Sequence, residues 1–260
     1  MNWRELIGGR KRVPRLEPRC VHVWQISTAM IPADMEKLAE VLSPDEHDRA
    51  ERFHFERDRR TFSVCRAVLR RLLASYADCD GARIRFSYGP QGKPALTQPR
   101  LSELRFNVSH SGDLALVAFA LRRDIGVDVE LMRDGVDFAA LAETSFSRAE
   151  RAAVLARQPD NRASLFYEYW TCKEACIKAD GKGLSVPLDG FSIVAMAQEP
   201  QWRKVALVSP NSLAPGMRIG ILSVGNGYAG AVAALGPGWD VRLIDLSVTP
   251  PTASLACLSQ

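Results

Sequence analysis

Along this chain of 260 residues the hydrophobic period switches from two to 3.6 and back, twice over, and that order restricts the fold more than any other feature. Val21–Ser27 alternates as a strand. Ser43-Pro44-Asp45-Glu46 supplies an N-cap, a proline at the first helical position and a glutamate at the third, so a helix opens there. Residues 57–77 set Phe62, Val64, Cys65, Val68, Leu69, Leu72, Leu73 and Tyr76 on one helical face and stop before Asp78-Cys-Asp-Gly81. Arg83–Tyr88 reads as a strand, Gly89–Pro94 as a loop, and Leu104–Ser109 and Leu114–Leu121 as two strands around Ser109-His-Ser-Gly112.

The second half repeats this order. A strand at Ile125–Glu130 precedes a helix opened by the capping box Ser147-Arg-Ala-Glu150, a helix over Phe166–Ala179, and strands near 189–196, 203–208, 218–224 and 228–235. The pattern predicts an α+β protein of two pseudo-symmetric lobes, each a mainly antiparallel sheet packed with helices, and not strict βαβ alternation. The lobes are expected at 20–123 and 124–247, with a boundary near 122–124. A basic arm, 1–19, and a tail, 248–260, are expected to be poorly ordered.

Charge argues against a nucleic-acid partner. Residues 1–19 hold six basic and two acidic side chains, which account for the whole net charge of +4, so the other 241 residues are formally neutral. Arg10-Lys-Arg12, Arg15 and Arg19 lie among prolines and read as a solvated tail. Cys20, Cys65, Cys79, Cys172, Cys176 and Cys257 form neither a C-x-x-C pair nor a disulfide spacing, and are read as reduced thiols. Cys172 and Cys176, one helical turn apart, are expected in the core and not on zinc. No window approaches 18 apolar residues and no signal peptide is seen, so a cytoplasmic protein is expected, and it is expected to be a monomer. Trp3, Trp202 and Trp239 are read as packing or surface aromatics, and His22, His47 and His54 as exposed or strand-edge histidines.

Chemistry concentrates in two stretches 44 positions apart. In Ile125-Gly-Val-Asp128-Val-Glu130 the two carboxylates leave the same face of a strand. Such oxygen ligands suit Mg²⁺, which fills the rest of its octahedron with water and phosphate, so a phosphate substrate is implied. In Phe166–Gly183, Phe166, Tyr169, Trp170, Cys176 and Ile177 form an apolar helical stripe, while Glu174 and Lys178 stand one turn apart on its flank beside Tyr167 and Thr171. Read alone, that pair is either a base and a cation serving one reaction or a surface pair worth roughly 0.2–0.5 kcal/mol. Lys173 projects into the stripe, where an ammonium is costly unless it reaches water or an anion such as phosphate.

Four ordered motifs, Gly92-Lys93-Pro94, Phe106-Asn-Val-Ser-His-Ser-Gly112, Gly126-Val-Asp128-Val-Glu130 and Trp170-x-x-Lys-Glu174-Ala-x-x-Lys178-Ala-x-Gly-x-Gly183, resemble those of the 4′-phosphopantetheinyl transferases. The likeness is to the larger, two-lobed, surfactin-synthetase-activator type and spans roughly residues 20 to 235. It implies transfer of the phosphopantetheine arm of coenzyme A to a serine of an apo acyl or peptidyl carrier protein, with release of adenosine 3′,5′-bisphosphate. The carrier would serve fatty-acid, polyketide or nonribosomal-peptide synthesis, and a hydrophobic groove between the lobes would take its helix.

By the same resemblance Asp128, Glu130 and Glu174 would hold Mg²⁺, or Mn²⁺, with Glu174 also the base and Lys178 stabilising or protonating the departing phosphate. CoA would be bound by Arg49, Tyr88, Gly92, Lys93, Asn107, Ser109, His110, Asp128, Lys173 and Lys178 in an active site at the lobe interface. One departure stands out: Glu46 and His47 occupy positions that carry lysine in some members, with Arg52, Arg57 and Arg60 as substitutes for contacting the 3′-phosphate. A Mg²⁺-dependent phosphohydrolase and a non-catalytic carrier-binding module are the alternatives.

Overall fold

Residues 114–121, Leu-Ala-Leu-Val-Ala-Phe-Ala-Leu, are apolar at every position, and their burial explains it. Leu114, Leu116, Ala118 and Ala120 face one core, while Ala115, Val117 and Phe119 face another. A strand buried on both faces needs no polar alternation.

The computed structural model describes residues 13–29, 32–89, 92–99, 103–197, 199–209 and 213–246. In chain order the elements are β1 (Cys20–Ser27), α1 (Pro32–Ala39), α2 (Pro44–Glu51), α3 (Glu56–Ala77), β2 (Arg85–Tyr88), β3 (Pro94–Gln98), β4 (Leu104–Ser111), β5 (Leu114–Leu121), β6 (Ile125–Leu131), α4 (Phe138–Ser145), α5 (Arg148–Leu155), α6 (Pro159–Asp180), β7 (Phe191–Met196), β8 (Glu199–Leu207), β9 (Met217–Leu222), β10 (Tyr228–Leu235) and β11 (Asp240–Leu246). One sheet has the order β11-β1-β5-β4 and the other β6-β10-β9-β8-β7, with β2 and β3 a separate hairpin. Neighbours pair antiparallel except β1 and β11, which are parallel.

The layers run helix, sheet, sheet, helix. The apolar face of α3, with Val64, Val68 and Leu72, packs on Trp24, Ile26, Val117 and Phe119 of the first sheet. The other face of that sheet, with Val23, Leu116 and Ala118, meets Val127, Val129 and Val232 of the second. Behind the second sheet, Cys172, Ala175, Cys176 and Ile177 of α6 cover Ile219, Ala231 and Ala233. Each long helix has 22 residues. Proline at the first turn starts α6, and Gly181 at φ 80° stops it, its N–H bonding the Ile177 carbonyl at 3.0 Å.

Several expectations need correction. The second lobe does not keep residues 124–247 to itself, because β11 returns and pairs with β1 in the first sheet. This strand is mostly exposed and so lacks a strong apolar signal. The arm was expected to be loose, yet its last part is packed: Leu16 is 8% exposed in the first core, and the Val13 N–H bonds Ser75 Oγ. The rest of the arm, the tail, Cys257 and Trp3 lie outside the described residues.

His22 is not at an edge. It is buried on β1, bonded through Nδ1 to Tyr76 Oη at 2.8 Å, and burial with the nearby Arg242 charge lowers its pKa to about 4. His47 and His54 are exposed. Trp202 and Trp239 pack edge to face at 4.9 Å. Cys172 and Cys176 are buried in the second-lobe core, and five cysteines of the described residues are free thiols. The helices α1 and α4 and the strand β3 were not legible; each is only 5–8 residues long, too short for a clear period.

Candidate active site at the lobe junction

The site begins with a glycine. Gly126 shares one face of β6 with Asp128 and Glu130, and α6 crosses directly over it. A β-carbon there would stand 2.0 Å from the Ala175 carbonyl oxygen and 2.5 Å from the Ala179 nitrogen. Only a residue without a side chain lets the helix axis come this close. Glu174 and Lys178, which bracket that contact on α6, are thereby delivered to Asp128.

Lys178 Nζ lies 2.6 Å from Asp128 Oδ1 and donates to Ser109 Oγ at 3.1 Å. Asp128 Oδ2 is buried and has no hydrogen-bond partner among the described residues. Burial outweighs the Lys178 charge and holds the Asp128 carboxyl above its ordinary range. Burial, with the Asp128 charge, also raises Glu130 against a hydrogen bond from Ser111. Glu174 is raised by burial first and then by Asp128 and Glu130, with Lys178 opposing. Three carboxylates thus repel one another in a partly desolvated pocket, which favours a proton or a cation among them. Glu174 itself makes no hydrogen bond or ion pair among the described residues.

The other lobe contributes a ladder of side chains. Asn107, Ser109 and Ser111 alternate on β4, and their oxygens accept the N–H groups of Val127 at 2.9 Å, Val129 at 3.4 Å and Leu131 at 3.1 Å. The two serine hydroxyls donate in turn to Asp128 Oδ1 at 2.8 Å and Glu130 Oε2 at 2.7 Å. Between these strands, edges of different sheets, side chains do what backbone pairing does elsewhere.

Beside the ladder a cleft opens between the lobes. One cavity of about 340 Å³ is walled by Gly92, Lys93, Asn107, Glu174 and Lys178 among others. A second, of about 560 Å³, continues past Lys93, Pro94 and Gly181 to Tyr88, Leu96, Phe106 and Arg105. Lys93 ties them together, its Nζ donating to the Lys178 carbonyl at 2.5 Å. Burial lowers the Lys93 pKa.

Sequence comparison gives this cleft its context. A family model described as 4′-phosphopantetheinyl transferase, N-terminal, matches residues 24–121, and one described as the 4′-phosphopantetheinyl transferase superfamily matches residues 124–214. HetI of Nostoc sp., a 4′-phosphopantetheinyl transferase, is 35% identical over 224 residues, covering 85% of this chain and 90% of that one. The chain belongs to the 4′-phosphopantetheinyl transferase superfamily.

Sfp of Bacillus subtilis, another 4′-phosphopantetheinyl transferase, is 34% identical over 211 residues, 80% of this chain and 90% of its own. Among solved structures, a holo-[acyl-carrier-protein] synthase of Thermotoga maritima aligns with 44% of this chain and 62% of that one at 18% identity and a TM-score of 0.34, too loose a likeness to bear on the fold. The protein is an enzyme of the phosphopantetheinyl transferase type.

Not every residue expected at the site of this transferase reaches it. Lys173 is fully buried in the second lobe, and its ammonium donates to the Leu188 carbonyl at 2.7 Å, the Phe191 carbonyl at 2.5 Å and Glu150 Oε2 at 2.8 Å. An ammonium has three N–H groups, so none is left for a phosphate. Ser109 is likewise saturated: its hydroxyl gives its one hydrogen to Asp128 and accepts from Lys178 and Val129. The Asn107 oxygen is spent on Val127, although the residue still lines the smaller cavity. Lys173 is therefore corrected from a CoA contact to a structural group, and the Ser109 hydroxyl is committed to Asp128, Lys178 and Val129.

His110 is exposed, and desolvation together with the Lys178 charge holds its imidazole below the ordinary range. Arg49 is exposed on α2 with its guanidinium 5.2 Å from the Phe62 ring centroid, outside the walls of both cavities. Glu46 is buried against Arg70 at 2.5 Å, so that position cannot offer a phosphate contact. Of the three substitutes, Arg52 is exposed, Arg57 faces Asp113 at 3.7 Å, and Arg60 is half-buried. Sequence reasoning assigned no role to Gly126 or Ser111. The signal was present in both: a glycine inside a strand marks close backbone approach, and Asn107, Ser109 and Ser111 alternate as Gly126, Asp128 and Glu130 do.

Proposed function

We propose that this transferase moves the 4′-phosphopantetheine arm of coenzyme A to a serine of an apo carrier protein, using Asp128, Glu130, Glu174 and Lys178. The observation that carries this reading is the meeting of Glu174 and Lys178 with the Asp128/Glu130 pair over Gly126, beside a cleft lined by both lobes. The serine oxygen would bond to the β-phosphorus while the bridging oxygen to the adenosine bisphosphate leaves with the bond's electrons. Glu174, carrying no hydrogen bond among the described residues, takes the serine proton directly or through water. Lys178 offers its charge to the leaving oxygen. Lys93 and Tyr88 line the path for the nucleotide end, and Arg49 remains a candidate for the 3′-phosphate.

Donor chemistry supports a divalent cation at the carboxylates. The set is all oxygen, as Mg²⁺ requires, and buried Asp128 Oδ2, without a hydrogen-bond partner among the described residues, is available as a ligand atom. As the side chains stand, no three His, Cys, Asp or Glu among the described residues are gathered as a metal centre, and Lys178 rests on Asp128 instead. Mg²⁺, or Mn²⁺, held by Asp128, Glu130 and Glu174 would neutralise pyrophosphate charge.

Free cysteines support a reducing, cytoplasmic setting, and no helix of the described residues is long and apolar enough to cross a membrane. Incubation with CoA, Mg²⁺ and a panel of apo carriers, read by mass spectrometry, tests the reading. The expected result is a carrier heavier by the phosphopantetheine arm. CoA cleavage that leaves every carrier unchanged would replace transfer with hydrolysis.

A further inference from the structure

Three rungs join β4 to β6, but only two of them touch the carboxylates. The Ser109 hydroxyl is clasped between Asp128 Oδ1 and the N–H of Val129, the next residue on β6. Ser111 repeats the pattern with Glu130 Oε2 and the N–H of Leu131. Each clasp fixes a carboxylate against the backbone of its own strand by means of a hydroxyl from the other lobe. One oxygen of each carboxylate is thus committed, and the second is left to a ligand, as the unpartnered Asp128 Oδ2 illustrates. Among the described residues Asn107 accepts only the Val127 N–H and holds no carboxylate, so the ladder carries its own control.

We propose that Ser111, with Ser109, is a positioning residue for the carboxylate pair, so that the first lobe sets the cation affinity of the second. This rests on the reading that Asp128, Glu130 and Glu174 take a divalent cation. Partners that orient ligating carboxylates are worth about 10–100-fold in metal affinity. Ser111 is the cleaner test, because Ser109 also contacts Lys178.

Mn²⁺ binding to the full-length enzyme without CoA, followed by the electron-paramagnetic signal of free Mn²⁺, measures the effect together with Tm and the kcat and KM for CoA. Ser111→Ala is expected to weaken Mn²⁺ binding about 10–100-fold and to lower kcat, while Ser111→Thr restores both. Asn107→Ala is expected to lower Tm with Mn²⁺ affinity unchanged, because it breaks a rung without freeing a carboxylate. Should Ser111→Ala not fold, Ser111→Cys, whose S–H bonds only weakly, carries the same expectation. Wild-type Mn²⁺ affinity in a folded Ser111 variant, with only Tm reduced, overturns the proposal and leaves a purely structural ladder. A wild-type enzyme that binds no Mn²⁺ overturns the cation reading itself, and this proposal with it.

Discussion

The two lobes solve the same packing problem with the same device, and only one of them adds chemistry to it. In the first, the capping-box glutamate Glu46 binds its own Ser43 N–H and a buried cation on the long helix, Arg70, through the same oxygen, Oε2. Arg70 then reaches the carbonyls of Gly81 and Ile84 in the loop that follows the helix. In the second, Glu150 Oε2 binds the Ser147 N–H and Lys173, and Lys173 reaches the carbonyls of Leu188 and Phe191 beyond α6. A buried cation in each lobe therefore ties helix cap, long helix and following loop into one unit. The difference lies further along the helix: α6 bears Glu174 and Lys178 and crosses a glycine on the neighbouring strand. Rigidity is common to both lobes, whereas reactivity needs the close approach at Gly126.

Gly126→Ala should break the comparison most completely. Its β-carbon would meet backbone atoms of α6, which cannot yield as a flexible side chain could. A shift of about 1 Å at a reacting group costs on the order of a hundredfold in rate, so transfer is expected to fall at least that far, with a lowered Tm, in a carrier-loading assay. Glu174→Gln should come next, with kcat down about 10²–10⁴-fold for loss of a base and the circular-dichroism spectrum and Tm retained. Lys178→Ala should lower kcat with little change in KM if its contact forms in the transition state. A pure rise in KM for CoA would assign it to ground-state binding.

Lys173→Met and Arg70→Met probe what the lobes share. Lys173→Met takes from buried Glu150 its ion-pair partner, whereas Arg70→Met leaves buried Glu46 with Arg66 at 3.6 Å, so the first is expected to cost about 3–5 kcal/mol in urea unfolding and the second less. KM for CoA in the folded Lys173→Met enzyme should match wild type. A stable variant with a raised KM would return Lys173 to the phosphate and end the parallel.

The smallest effect concerns pH. Asp128, Glu130 and Glu174 have folded pKa values above their ordinary ones, so between those limits the folded state holds protons more tightly than the unfolded chain. Stability therefore falls as pH rises through that window, and the deficit persists at neutral pH. In EDTA, Asp128→Asn should flatten this part of the Tm profile, and Mg²⁺ at neutral pH should recover stability by binding the folded state alone.

Much of this was legible in the sequence because periodicity and capping are local. The strand over 114–121, the helix across 57–77 and both capping boxes were read within a residue or two of their places. The short elements α1, α4 and β3 were not legible, and neither was β11, an edge strand whose place beside β1 depends on contacts more than 200 positions away. At the site, residue types and spacing offered Asp128 and Glu130 as a cation clamp and left Glu174 and Lys178 between a reactive and a surface pair, and only the family resemblance proposed roles for all four. Lys173 was misread because an ammonium in an apolar stripe signals that it needs partners, without saying whether they are phosphate or backbone.

The sequence by itself determined the two long helices, most of the strands and the carboxylates and lysines available to a site, since these follow from side-chain type and period along a few turns or strands. Tertiary structure alone decided which lysine is fully buried and which stands at the cleft, and which serines hold carboxylates. Lys173 and Lys178 are five positions apart, yet one has its three N–H groups spent within its own lobe while the other reaches Asp128 and, across the lobe junction, Ser109. The physical reason is saturation: a polar group's role depends on which partners the fold has already given it, and those partners come from distant parts of the chain.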